Sequence, residues 1–422
     1  DGIRASVVES SQEAPFLQSD GTGGVFVAWF DYRSQSIPDL YAQHLLGDGA
    51  RSPAWPEEGL LISSRTTLQL TIGITSDEAG GLILSRWVRV AENDSIEVQR
   101  LNGDGVAYPN WPAMVPGAGF GVLATPDGTG GAIVAWEQTF TSQIMAIRIQ
   151  GDGQTPNGWP SEGLSASSGS FYDLASDGGN GAYLAFMRGN KTYIQHIAGD
   201  GTIVSGWSSM GRVIDPVAGD AQVPVLGPDG SGGVFVAWTL NIDGNTDRDV
   251  YLSRLTGAGD AADGWPSEGI PVCDLPGFQY RAAMTPDGQG GVLLAWQDAR
   301  DHSENSYDIY AQNITDTGTI RSGWPTNGRS LCDARGDQLF PLMVPDESNG
   351  AIVSWIDVRD TTVQLRADRI GSDVVPALVP LTRVEVTSDQ VSLWWYAPDG
   401  AGLVATVERR DVGEEWHQIG SP

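Results

Sequence analysis

Lysine is almost absent from this chain. Of 24 basic residues in 422, Lys191 is the single lysine and the rest are arginine. That bias fits either fixed, forked ion pairs or a codon preference. Basic charge as a whole is scarce, and the formal net charge is −29. This excludes a nucleic-acid partner, whose phosphates need a basic face. It also disfavours anionic membrane surfaces and favours divalent cations. Two cysteines cannot form a disulfide framework. No apolar run is long enough to cross a bilayer, so membrane insertion is excluded by this reading. Spacing near 3.6 is missing over any long stretch, so helices are not expected. The chain opens at Asp1 without a methionine or a signal peptide, as a processed piece of a longer protein would.

What is plentiful is glycine, 55 residues, and tryptophan, 15 residues. Both follow a repeat. "DGTGGVFVAW" at Asp20 returns as "DGTGGAIVAW" at Asp127, "DGSGGVFVAW" at Asp229 and "DGQGGVLLAW" at Asp287. An Asp followed four residues later by Gly marks seven units, at Asp20, Asp77, Asp127, Asp177, Asp229, Asp287 and Asp346. A "WP" motif keeps step at Trp55, Trp111, Trp159, Trp265 and Trp324, with Trp207 lacking its proline. Each unit reads as four short strands. "VFVAW" is apolar at every position, the pattern of a strand buried on both faces. The "DGTGG" before it is a turn with an Asp cap. The architecture expected is all-β: a seven-bladed β-propeller of four-stranded antiparallel blades over residues 1–372. Gly2 lies as far before Asp20 as Gly59 lies before Asp77. The segment from Ile3 therefore reads as a fourth strand that closes blade seven and removes the open edges of an array. Unit two departs from the pattern with Arg86 and Trp87, and unit four with Phe186.

Residues 373–422 break the rhythm. "VVPALVPLTRVEVTSDQVSLWWYAPDG" followed by "VERR…W" resembles the first half of a fibronectin type III β-sandwich, a domain of about 100 residues. Further C-terminal domains of a longer protein are the implied partners. The segment "DGQGGVLLAWQDARD…SYDIYAQNITDTG…SGWPTNGRSLC" resembles a repeat of secreted or surface-attached bacterial proteins. That resemblance covers residues 1 to about 372 and implies a propeller and an extracellular or cell-surface setting. It implies no activity.

Candidate sites are few. Asp243, Asn245, Asp247 and Asp249 alternate around Gly244 as oxygen ligands, the start of a calcium loop without its closing Glu. Asp249 also matches Asp39 and Asp308, which precede third strands, so a strand-start cap competes. Tyr32, Arg33, Tyr280, Arg281, Asp301, His302 and Tyr307 fall in loops that share one end of the ring, where a glycan or protein ligand is expected. Solvated loops are the plainer alternative. The pairs Asp31/Arg33, Asp298/Arg300 and Asp357/Arg359 read either as a ligand rim or as internal ion pairs, and their recurrence favours the second. His44 and His196 read as packed strand residues. No HExxH or GxSxG motif is present, nor is the sialidase-type Asp box. Cys273 and Cys332 occupy equivalent fourth strands and are expected to be free, buried thiols. Together these readings point to a binding or scaffold module without catalysis. A polysaccharide-active enzyme working through carboxylates on the ring face and a structural spacer are the alternatives.

Overall fold

The computed structural model describes residues 6–8, 12–33, 37–47, 50–64, 72–90, 93–214, 220–241, 248–300, 307–346, 349–359, 362–371, 381–386, 391–395, 407–409 and 417–420. The chain divides into two compact units, Asp1–Ser372 and Asp373–Pro422. Among the described residues every regular element is a strand.

The first unit is a seven-bladed β-propeller. Blade one runs Gln12–Ser19, Val25–Asp31, Asp39–Leu45 and Leu60–Ser63, paired in sequence order and antiparallel. Five more four-stranded sheets follow the same order. Blade seven comprises Asp337–Pro345, Gly350–Arg359 and Thr362–Gly371. The first strands of successive blades pack side by side around the centre, and Gln12–Ser19 meets Asp337–Pro345 to close the ring. The second strands are buried on both faces: Val234–Asn241 and Val292–Asp298 are covered at every position. Continuous apolar strands are needed because each blade is sandwiched between two others.

Ile3, in the expected closing strand, lies outside the described residues. Ser6 and Val7 are described, and their contacts are informative. Ser6 Oγ donates to Glu58 O at 3.0 Å, and Val7 N donates to Glu57 O at 3.3 Å. At the end of the fourth strand of blade five, Asp274 N likewise donates to Asn327 of the next blade. Glu58 and Asn327 both stand immediately before the glycine that precedes a fourth strand. Ser6 and Val7 thus make toward blade one the contact that a preceding fourth strand makes elsewhere in the ring.

The recurring turn has a specific construction. Asp127 Oδ1 accepts from Thr129 N at 2.9 Å and from Gly131 N at 2.8 Å, and Asp20, Asp77, Asp177, Asp229 and Asp287 do the same. A side chain at Gly233 would run into both the Asp229 carboxylate and the Leu255 carbonyl, so this place in the turn needs glycine. The glycine four residues after Trp55, Trp159, Trp265 and Trp324 has its own reason: a Cβ on Gly163 would lie 2.9 Å from the Trp136 ring. In blade four Phe186 fills that place, over Gly211. In blade two a buried Arg86–Glu97 ion pair stands there instead.

The second Asp oxygen ties the turn to the third strand. Asp20 and Asp177 hold His44 and His196, and Asp77, Asp127, Asp229 and Asp346 hold Arg100, Arg148, Arg254 and Arg369. In blade six the third-strand residue is Asn313, and Arg321 from the following loop pairs with Asp287 instead. The same basic side chain reaches the next blade. Arg148 Nη1 donates to Gly199 O at 3.0 Å, and Trp159 Nε1 donates to that same oxygen at 3.0 Å. Gly103, Gly151, Gly257 and Asp316 serve four other junctions in the same way.

Cys273 and Cys332 are free. Cys273 is buried and its thiol is pushed up to about 12 by that burial. Cys332 is only partly buried, which corrects the expectation of two buried thiols. It sits on a fourth strand, and these are the outermost strands of the blades.

In the second unit, Leu381–Val386 pairs with Val391–Trp395, and Val407–Arg409 with His417–Gly420, both antiparallel.

Candidate functional site

Strand order assigns the loops to two ends of the ring. The Asp turns and the "WP" loops share one end. The hairpins between second and third strands, and the joins from one blade to the next, share the other. First strands begin at this second end, and six of the seven carry a register shift within their length. Bulges of this kind bend a strand and re-aim a side chain. Val223, Arg281 and Phe340 there adopt positive φ of 48°, 53° and 57°. Such backbone costs of order 1–3 kcal/mol per residue and persists only where the surroundings hold it.

The bulged ends are rich in exposed aromatic rings. Phe120, Tyr172 and Phe340 are 51%, 41% and 44% exposed, and Phe140 in the hairpin of blade three is fully exposed. Arg281 lies over Phe340 at 4.7 Å and over Tyr280 at 5.3 Å. Arg248 lies over Tyr280 at 5.7 Å and Phe278 at 5.4 Å. Blades five, six and seven thereby share one stack of alternating rings and guanidinium groups.

Behind this mouth runs a channel of about 790 Å³ lined by all seven first strands. Its wall is largely apolar and includes Phe16, Ile74, Leu174, Leu226, Met284 and Leu342. One carboxylate stands in it at mid-strand. Asp173 Oδ2 accepts from Leu226 N of the next blade at 2.7 Å, and Oδ1 accepts from Leu174 N at 2.8 Å. Burial raises this carboxyl to about 6, although both N–H groups pull the other way. Glu78 is the other carboxylate lining the channel among the described residues. It belongs to an Asp turn, at the opposite end, and burial together with Asp127 and Asp77 raises it as well.

The residues singled out from the sequence fare unequally. Tyr280 and Arg281 lie in the aromatic stack. Tyr307 is half-buried, and its backbone carbonyl accepts from Gln338 N at 2.7 Å. Tyr32 and Arg33 belong to blade one, beside blade seven, and are not part of that stack. Arg33 is bound internally: it pairs with Asp31 at 2.6 Å, donates to Glu58 O and lies 3.7 Å over Tyr41. Arg300 repeats this on Asp298 and Tyr310. The Asp/Arg pairs at 31/33 and 298/300 are therefore internal, and the Arg359 side chain lies outside the described residues. Asp301 and His302 lie outside them too, as do Asp243, Asn245 and Asp247. Asp249 opens the third strand of blade five, opposite Leu240. Among the described residues no group of three or more His, Cys, Asp or Glu is placed to hold a metal ion. His44 and His196 are packed, stacked on Phe26 at 4.3 Å and Tyr183 at 4.0 Å.

Sequence reasoning missed Asp173, and a signal was there. Four residues before the turn aspartate, the seven units read Phe16, Gly73, Leu123, Asp173, Val225, Ala283 and Leu342. Only one of these is charged.

No family model matches the chain, and no curated protein matches it. Some solved structures resemble it distantly. A protein of unknown function from Dyadobacter fermentans aligns at 12% identity and TM-score 0.45, over 87% of this chain and 96% of that one. The NanB sialidase of Streptococcus pneumoniae aligns at 9% identity and TM-score 0.41, over 88% and 70%. A prolyl endopeptidase aligns at 12% identity and TM-score 0.49, over 94% of this chain and 52% of that one. At such identities a likeness concerns the fold alone.

Proposed function

We propose that this protein is a non-enzymatic binding module of the bacterial surface or extracellular space, and that its ligand, a glycan or a polypeptide, seats on the mouth where first strands begin. One observation carries the reading: the four exposed aromatic side chains of the described propeller all arise at that end, over an apolar channel. Exposed rings beside guanidinium groups supply large, rigid contact area with a polar handle. An enzyme of the carboxylate type needs two acids about 5–9.5 Å apart across a bond. Asp173 stands at mid-strand in blade four and Glu78 beyond the first strand of blade two, on separate blades and at different depths, which favours binding over hydrolysis.

Glycan and peptide arrays probed with the wild type and with Phe120→Ser/Tyr172→Ser/Phe340→Ser test it. Binding lost in the variant, with the bound molecules recovered intact, supports the reading. Cleaved molecules would establish the polysaccharide-active alternative. Binding unchanged in the variant would move the site elsewhere.

A further inference from the structure

We propose that the channel behind the mouth receives the basic side chain of a polypeptide, a lysine or an arginine, with Asp173 as its counter-ion. This deepens the reading above and rests on the mouth being the binding end. The argument begins with charge pairing. Each of the seven turn aspartates holds a histidine or an arginine. Asp173 is different. It has two backbone N–H donors and, among the described residues, no cationic partner. Buried carboxylates are costly unless paired or neutralised. Asp173 is partly exposed to the channel, and its place without a cation in a largely apolar wall points to a partner that arrives from outside.

The chemistry of that partner follows from the wall. A calcium ion takes six to eight oxygens. Asp173 offers one carboxylate whose two oxygens each already accept an N–H. Three acidic, histidine or cysteine groups do not converge on it among the described residues. An organic cation needs far less. A basic side chain lays its methylene stem along apolar surface and leaves its charged head for one carboxylate. Leu174, Leu226, Met284 and Leu342 would take the stem. Thr75, Thr125 and Ser176, which also line the channel, offer the head hydroxyl acceptors. Tyr172, directly before Asp173, is exposed at the mouth and offers a ring face to a passing cation. The net charge of −29 draws cations toward the whole molecule.

Hexylamine is the probe, with hexanol and hexanoate as controls, measured calorimetrically on the full chain. The wild type is expected to bind hexylamine saturably at pH 7.5 and to bind neither control comparably. The amine stays charged between pH 7.5 and 5, so protonation of Asp173, whose value lies near 6, is expected to weaken binding about tenfold over that interval. Glu78, also raised and lining the opposite end, is the other titrating carboxylate, so Glu78→Gln is expected to keep this pH dependence. Asp173→Asn is expected to abolish binding while Asp173→Glu retains part of it. Hexanol binding as well as hexylamine, affinity independent of pH, or undiminished binding by a folded Asp173→Asn would each overturn the proposal. If Asp173→Asn fails to fold, the wild-type comparison of amine with alcohol and the pH series still decide. Array ligands that need the aromatic rim but ignore Asp173 would sink this inference and leave the mouth as the binding end. Hexylamine binding with array ligands indifferent to the rim would do the reverse.

Discussion

Arg148 and Trp159 donate to one carbonyl oxygen, that of Gly199 in the next blade. The arginine also pairs with Asp127 in its own blade's turn, so a single side chain couples turn, blade and neighbour. The residues conspicuous in the repeat thereby become a joint between units that a sheet alone does not supply.

The joint should be measurable. Trp159→Phe removes one donor and is expected to cost about 1 kcal/mol of stability beyond its packing change. Arg148→Met leaves the fully buried Asp127 carboxylate without its cation and is expected to cost about 3–5 kcal/mol. Chemical denaturation of the singles and the double gives the coupling. The double is expected to cost more than the sum of the singles, because it alone leaves the shared Gly199 oxygen without either donor.

Two buried tryptophans should respond unequally to the same change. Trp296 Nε1 donates to Asp298 at 2.7 Å, whereas Trp238 Nε1 is buried with no acceptor among the described residues. The difference is local: two residues on, blade six has Asp298 and blade five has Leu240. Trp296→Phe is expected to destabilise by about 1–3 kcal/mol. Trp238→Phe discards an unsatisfied donor and should cost less than Trp296→Phe. Equal losses in urea melts would contradict this.

Acid should act on the two kinds of aspartate with opposite sign. Burial raises Asp20, Asp127 and Asp177, but hydrogen bonds from His44, Arg148 and His196, with those of the turn N–H groups, hold all three below 3.8. Their contribution to stability is complete above 3.8 and is lost as pH falls through their lower folded values. Asp173 is raised to about 6, so its contribution is complete below 3.8 and is lost as pH rises from there to about 6. Asp173→Asn is therefore expected to stabilise at pH 7 by at most about 3 kcal/mol, less for a part-exposed group, and by little at pH 3.5. A gain of equal size at both values would contradict the account.

Calcium is proposed for the loop from Asp243 to Asp249, on the alternation of its oxygen ligands around Gly244. A ligand bound only by the folded chain raises its melting temperature. The expected result is a rise in calcium that chelator reverses and that Asp243→Ala plus Asp247→Ala abolishes. No rise would leave these residues as turn and strand caps.

The ring was legible in the sequence because its repeat is made of obligatory parts: an Asp that caps, a Gly with no room for a side chain, and a strand without polar positions. His44 was legible as a packed residue for the same reason, whereas Arg33 carried two readings, a ligand-loop residue and half of an internal ion pair. The joints were not, since their acceptor is a backbone oxygen of the next unit, which no side-chain pattern marks. Nor was the exchange at Asn313, where Arg321 pairs with Asp287 from another loop. Asp173 stood out only once the units were aligned on the turn. The positive φ at Val223 and Phe340 belongs to bulges, which residue type alone does not announce.

The most direct test of the central claim compares the two ends of the ring. A lysine-rich peptide is titrated into the wild type, into Tyr172→Ser/Phe340→Ser at the mouth, and into Val106→Ser/Ile320→Ser, exposed residues of the opposite end. Binding at least tenfold weaker in the mouth variant alone is the expected result. Binding that survives it, or that falls only with the opposite-end variant, would contradict the account.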